Sequence, residues 1–203
     1  KIIAGSGIWA ADGSTRGFIA DISAAPGVPP VITAAKSVKT HGTAGSFSID
    51  VFAAGAVEDR QGGPTEIVVT FNEAIQLVGL NPVVVSSGTV TSANVSGTGN
   101  DTLTVVMSGA VDAMPFMVTF PGVADAKSPT AVCTGSLCFG VLLGDATGDR
   151  KVNVFDLLAI KAQINIAIGQ ANFRCDVTVD GRINVFDLLM VKNNLNKIVA
   201  PCP

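Results

Sequence analysis

The chain of 203 residues carries a formal net charge of −3, with charged side chains at 14% and hydrophobic ones at 48%. Mean hydropathy is +0.50, yet no run approaches the roughly eighteen apolar residues of a membrane-spanning helix. Basic clusters are absent, which argues against nucleic acid as a partner.

The apolar excess lies in short Ala, Val and Ile pieces separated by 22 Gly and 10 Pro. A surface so short of charge tends to associate. It suits a chain in permanent contact with others, and equally a secreted β-domain rich in Ser and Thr. The opening "KIIAGSGIW" has no charged and apolar leader pattern, so export implies that a leader or longer precursor has been removed.

Residues 1–30 read as a β arm followed by a Pro-rich linker. Two short β-like runs flank Asp12-Gly13, a hairpin signal, and "SAAPGVPP" (23–30) favours extended backbone. A lone hairpin is marginal in water, so the arm is expected to dock on its own domain or on a neighbour.

Residues 31–142 read as β throughout. Strands are expected in 46–55, 65–75, 81–97, 100–109 and 114–123, punctuated by Gly, Pro, Asn and Asp. Ile67, Val69 and Phe71 alternate, as do Phe116, Val118 and Phe120, which suits a two-sheet sandwich with one face of each strand buried. "IVVTFNEAI" followed by "FMVTFPGVADAKS" resembles the bacterial Ig-like domains of surface-layer and other secreted proteins.

Four cysteines stand at 133, 138, 175 and 202. Locality favours Cys133 with Cys138 in "CTGSLC" and Cys175 with Cys202, among three possible pairings; buried free thiols are the other reading. Disulfides would place the chain outside the cell or on its surface.

Residues 143–203 change period from two to helical. Phe155, Leu158 and Ile160, then Phe186, Leu189 and Val191, recur on one side of two helix-like runs. Each run follows a repeated acidic phrase, "GDATGDRKVNVFDLL" (144–158) and "CDVTVDGRINVFDLL" (175–189). Written as twelve-residue loops, positions one, three, five, nine and twelve hold Asp145, Thr147, Asp149, Asn153 and Asp156. The second loop has Asp176, Thr178, Asp180, Asn184 and Asp187. Position seven, Lys151 or Arg182, would offer its backbone carbonyl. Ca²⁺ takes six to eight oxygens at about 2.3–2.6 Å, and this spacing wraps such oxygens round one point.

The double pattern resembles the type I dockerin module, two shortened EF-hand repeats that each hold one Ca²⁺. The resemblance covers about 143–198 and implies two bound calcium ions. It departs from the family at Thr147 and Thr178, where Asn or Asp is usual, and at Arg150, where Gly is usual. Arg150 is expected to weaken the first site if its φ is positive. Dockerins bind cohesins through loop positions ten and eleven, here Val154-Phe155 and Val185-Phe186 instead of hydroxyl residues. These residues read either as an apolar contact surface or as packing between the helices. Their near-identity implies a pseudo-twofold pair that can present one surface in two orientations.

Other candidates are weaker. His41, the single histidine, sits in the turn-like "KTHGTAG" with no sign of a Ser/His/Asp triad. Glu58, Asp59 and Glu66 read as a third cation site or as a solvated loop with one acid paired to Arg60. Asp12 and Asp21 are further metal candidates, and Trp9 alone makes a poor sugar platform. Asn94 and Asn100 match the glycosylation pattern.

The expectation is a mainly β protein with an N-terminal arm, an Ig-like sandwich and a small α-helical dockerin-like end. No residues are assignable to catalysis. Its function reads as a non-catalytic extracellular structural protein, self-assembling into a filament, tubule or surface layer as a homo-oligomer or polymer with calcium shaping its tail. The alternative is the C-terminal anchor of a larger secreted protein, docking to a cohesin-type scaffold. The loops themselves predict that Asp180→Ala weakens calcium binding by more than about tenfold and unfolds the second loop and helix. Asp50→Ala has little effect; similar calorimetric titrations for the two variants would overturn the loop assignment.

Overall fold

The computed structural model describes residues 2–8, 15–21 and 27–203, with side chains from residue 27 onward. Strands β1 (Ile2–Ile8) and β2 (Thr15–Asp21) pair antiparallel with Ile8 opposite Thr15, the hairpin expected about Asp12-Gly13. Asp12, Trp9 and linker residues 22–26 lie outside the described residues, as does the side chain of Asp21.

Next in chain order come β3 (Ile32–His41), β4 (Gly45–Asp50), β5 (Val57–Glu58), β6 (Glu66–Phe71), β7 (Ile75–Leu77) and β8 (Val84–Val85). They are followed by β9 (Thr89–Ser96), β10 (Thr102–Ser108), β11 (Met114–Thr119), β12 (Val123–Asp125), β13 (Ser128–Val132) and β14 (Ser136–Val141). A five-stranded sheet runs β4-β3-β6-β10-β9 and a four-stranded one β5-β14-β11-β8, with a small β13-β12-β7 sheet beside them. Alternation decides which side chains go inside. Ile67, Val69 and Phe71 of β6 are buried with Leu103 and Val105 of β10, against Phe116, Val118, Leu137 and Phe139 from the other sheet. Burying side chains of this size contributes roughly 1.5–3 kcal/mol each. The result is a β-sandwich.

Three features differ from expectation. The strand β3, which pairs with both β4 and β6, was not among the expected strands, and it ends on His41. That residue closes the strand and is fully buried, where a turn was expected. Ser37, Lys39 and His41 occupy the strand's inward positions and interrupt the apolar alternation that would have marked it; Lys39 donates from Nζ to the Gln61 carbonyl. Glu58 and Asp59 are likewise fully buried, not solvated. Both Glu58 oxygens are taken by Arg60, at 2.8 Å from Nε and 2.7 Å from Nη2, and Ser37 donates to Oε2. Arg60 thus pairs with one of the two acids as expected, and among the described residues Glu58, Asp59 and Glu66 do not gather as a third cation site.

The disulfide pairing is the third correction. Cys138 bonds to Cys202, and Cys133 and Cys175 are free and buried. Strand alternation is the reason. Cys133 joins the sandwich core, as Leu137 and Phe139 do, whereas Cys138 lies between those two on the opposite face of β14. Extended backbone carries the near neighbours apart, and the chain terminus is brought to Cys138 instead. Burial pushes the Cys175 thiol up to about 11, which leaves it inert as a nucleophile.

The C-terminal region holds α1 (Val154–Gln163), a 3-10 turn (Phe173–Cys175) and α2 (Val185–Asn193). Both helices begin with a capping box: Asn153 and Asn184 accept from Phe155 N and Phe186 N, while Asp156 and Asp187 accept from the cap N–H. Its core is shared with the sandwich. Val57 and Leu142 pack with Val152, Ile160, Ile183 and Val191, while Phe173 enters the sandwich core and stacks on Phe47 with centroids 5.3 Å apart.

A non-reducing peptide map is expected to show a Cys138–Cys202 cross-link, with two further thiols alkylated only after unfolding. The cross-link spans 64 residues, so Cys202→Ser should cost about 4 kcal/mol by loop-closure entropy, measured by denaturant titration.

Candidate cation loops

Each acidic phrase folds as the sequence predicts, a tight loop leading into a helix. In the first loop, Asp145 Oδ1 accepts from Gly148 N at 2.8 Å and Asp149 N at 3.0 Å, and Oδ2 accepts from Arg150 N at 2.8 Å. Asp156 Oδ1 accepts from Thr147 N and Oγ1, and Oδ2 from Asn153 N. The second loop repeats most of this pattern. Asp176 Oδ1 accepts from Asp180 N at 3.2 Å and Oδ2 from Gly181 N at 3.0 Å; Asp187 accepts from Thr178 and Asn184 N. Asp149 and Asp180 at position five accept from Lys151 N and Arg182 N.

All four carboxylates at loop positions one and twelve are fully buried. Burial raises Asp145 and Asp187 above the usual carboxylate range, although loop N–H groups act the other way. Among the described residues no three Asp, Glu, His or Cys side chains gather at one point. Thr147 and Thr178 stand at position three, and the position-five acids turn to backbone N–H and Asn amides. A cation here would therefore draw on a mixed oxygen set: two buried carboxylates, a third at position five, a hydroxyl and the position-seven carbonyl. Buried anions beside hydroxyl and amide oxygens, with no thiolate or imidazole at a ligand position, fit a hard divalent cation.

The expected weakness of the first loop is not supported by its backbone. Arg150 does have φ +73°, but Val179, at position four of the second loop, has φ +55°. Each loop needs two left-handed residues. The first places Gly148 at position four and Arg150 at six; the second places Val179 at four and Gly181 at six. A β-branched residue is at least as costly there as arginine, so strain does not rank the sites.

The helical period is right but the expected face is not. Ile160 and Val191 are buried, whereas Phe155 (64% exposed), Leu158, Phe186 (62%) and Leu189 face solvent. Asp156 and Asp187 must point into their loops, and the residue four positions on shares that inner face; the apolar pairs are thereby turned outward. Val154 and Val185 are exposed as well, so these four residues do not pack between the helices. An apolar groove of about 390 Å³ runs between α1 and α2, lined by Leu157, Leu158, Val185, Leu188 and Leu189 and edged by Lys161 and Lys192.

Sequence reasoning missed Arg174 and the role of His41 and Arg60 at the base of the loops. Arg174 donates to the Asp145 carbonyl at 3.1 Å and lies 3.2 Å from Asp59. His41 reaches the Asp176 carboxylate at 2.9 Å, with Arg60 on its far side. Only the pairing of the single histidine with Gly42 hinted at such a role.

Fold and loops together define a β-sandwich that carries a two-loop, two-helix cation-binding module. Residues 143–196 match the family described as the Dockerin type I domain, which supports a type I dockerin module at this end of the chain. No curated protein and no solved structure matches the chain. Dockerin domains bind calcium and dock to cohesin-like partners. No described helix is long and apolar enough to cross a membrane.

Asp59 provides a pH test of how the sandwich meets the first loop. Burial raises its carboxyl from 3.8 to about 7, against the attraction of Arg174. The folded form thus holds a proton that the unfolded chain releases near pH 4, and stability falls as pH rises through the window from about 4 to 7. At saturating calcium, Asp59→Asn should flatten this slope, by about 4 kcal/mol at most. Urea midpoints at about pH 5 and pH 8 measure it.

Proposed function

We infer that the chain is a non-catalytic, extracellular calcium-dependent docking protein. Its dockerin-like end binds a cohesin-type partner, with the β-sandwich as a rigid mount. The observation that carries this reading is the outward placement of Val154, Phe155, Val185 and Phe186 on two helices whose first turns are closed by the acidic loops. Exposed aromatic pairs cost water-contacting apolar area and are characteristic of protein interfaces.

Two calcium ions shape this surface, one per loop. Asp145, Thr147, Asp149 and Asp156 with the Lys151 carbonyl hold the first; Asp176, Thr178, Asp180 and Asp187 with the Arg182 carbonyl hold the second. Asn153 and Asn184 cap the helices, coupling loop closure to helix start. Bound calcium would supply the positive charge opposite the two buried acids of each loop, with the position-five acid beside them; the protein residues place the oxygens and aim the helices. The Cys138–Cys202 disulfide suits an oxidising location. Self-assembly into a filament or layer is the weaker reading, because a dockerin match points to a partner of a different chain.

The two helices present matching surfaces, so either can serve. Phe155→Ala or Phe186→Ala alone should weaken capture of a cohesin domain by less than about tenfold, and the double variant by about thirtyfold or more. Surface plasmon resonance in calcium and in chelator is the measurement. Ordered polymers of purified chain in calcium, with no cohesin capture, would overturn docking in favour of self-assembly.

A further inference from the structure

The two loops are chemically alike but differently supported. The first is tied to the chain's own end, where Arg150 reaches the Val199 and Ala200 carbonyls and Val152 N donates to Lys197 O, and to the sandwich through the backbone, where Gly144 N donates to the Asp59 carbonyl and Arg174 joins Asp59 to the Asp145 carbonyl. The second is braced by the sandwich. Gln61 N donates to the Val177 carbonyl at 2.8 Å. A Cβ on Gly42 would stand 2.2 Å from the Asp180 carbonyl, and one on Gly181 would stand 2.9 Å from the His41 carbonyl. Two glycines thus let the β3–β4 turn and the loop meet backbone to backbone.

At the centre of this contact lies a fully buried chain of polar groups. His41 Nδ1 is 2.9 Å from Asp176 Oδ2, and both side chains have no exposure. A carboxylate can only accept, so Nδ1 carries the proton and donates. Arg60 Nη1, 3.5 Å from Nε2, faces the acceptor side of the ring. Arg60 is fixed in turn by Glu58 and by the Ser37 and Phe47 carbonyls. Phe47 and Phe173 hold the imidazole edge-on at 5.3 and 5.9 Å. Asp176 is position one of the loop, and one of its oxygens is thereby oriented by a residue 135 positions away. Among the described residues no side chain of the sandwich bonds to Asp145, which leaves the first loop without this support.

We propose that His41 is a positioning residue for the second cation loop, so that the β-sandwich, through Arg60, His41 and Asp176, presets a ligand carboxylate of that loop for a divalent cation, whereas no sandwich side chain orients the Asp145 carboxylate of the first. The proposal rests on the calcium reading of the loops. Outer groups that orient a metal ligand typically change affinity by about 10–100-fold. Coupling is reciprocal: if the sandwich tightens the loop, a cation in the loop must stabilise the β3–β4 turn by the same factor.

The test follows calcium titration by the amide resonances of Gly148 and Gly181, one in each loop. His41→Phe keeps a ring against Phe47 and Phe173 but removes the donor. It should weaken binding at Gly181 by about tenfold or more and leave Gly148 nearly unchanged, with His41→Gln partly restoring the loss. Equal weakening at both glycines, or none at either, overturns the proposal. Should His41→Phe fail to fold, hydrogen exchange decides with the turn intact. Calcium should slow exchange at residues 41–46 in the unaltered chain and in Asp156→Asn, but not in Asp187→Asn. Slowing in all three, or in none, overturns it. A chain that binds no calcium at either glycine defeats the docking reading itself, whereas normal binding unaffected by His41 defeats only this one.

Discussion

Four carboxylates without solvent exposure, Asp145, Asp156, Asp176 and Asp187, impose the constraint from which the C-terminal half takes its shape. An ionised acid taken out of water needs hydrogen bonds or a counter-charge. Here each is wrapped by loop N–H groups, and those bonds draw the backbone into a closed turn. Two of them, Asp156 and Asp187 at helix position N3, also accept from the cap N–H, so loop closure and helix initiation are one event. A divalent cation bound there would add the charge that the N–H groups only approximate. In the protein alone, burial holds the Asp145 and Asp187 carboxyls above the usual range against those N–H groups.

From that constraint follows the exposed apolar face of the two helices. An inward acid fixes the rotation of each helix about its axis. Phe155 and Phe186, one residue earlier, are then forced outward, as are Leu158 and Leu189. The helices cannot turn to bury them without pulling Asp156 and Asp187 from the loops. Exposed apolar residues are thus a consequence of the acidic loops, and a partner surface can cover them.

The sandwich is more than a support placed beside this module. A buried cluster of Ser37, His41, Glu58, Asp59 and Arg60 meets Arg174 and Asp176 at the junction. Glu58 would be raised by burial, yet Arg60, Ser37 and Lys39 hold its carboxyl below the usual range. Asp59 lacks comparable partners and is pushed the other way. A low-dielectric junction built from charges tolerates few alternative arrangements, because each unpaired group is costly. The shared apolar residues Phe173, Val57 and Leu142 seal it from water.

The acidic loops were legible residue by residue, because ligand spacing and helix capping are local: Asp145 to Asp156 and Asp176 to Asp187 fold within twelve residues each. The β character of 31–142 was legible too, wherever apolar alternation was unbroken, as in β6 and β11. Partner choice across long distances was not. Cys138 finds Cys202 because β14 turns it away from Cys133, and His41 finds Asp176 because β3 delivers it there. Helix period was visible in 154–163 and 185–193, but which face turns inward depended on the acid at N3 outranking the apolar pairs beside it. Local chemistry is written in neighbouring residues; the pairing of residues far apart in the chain is decided only when sheets and loops share one buried junction.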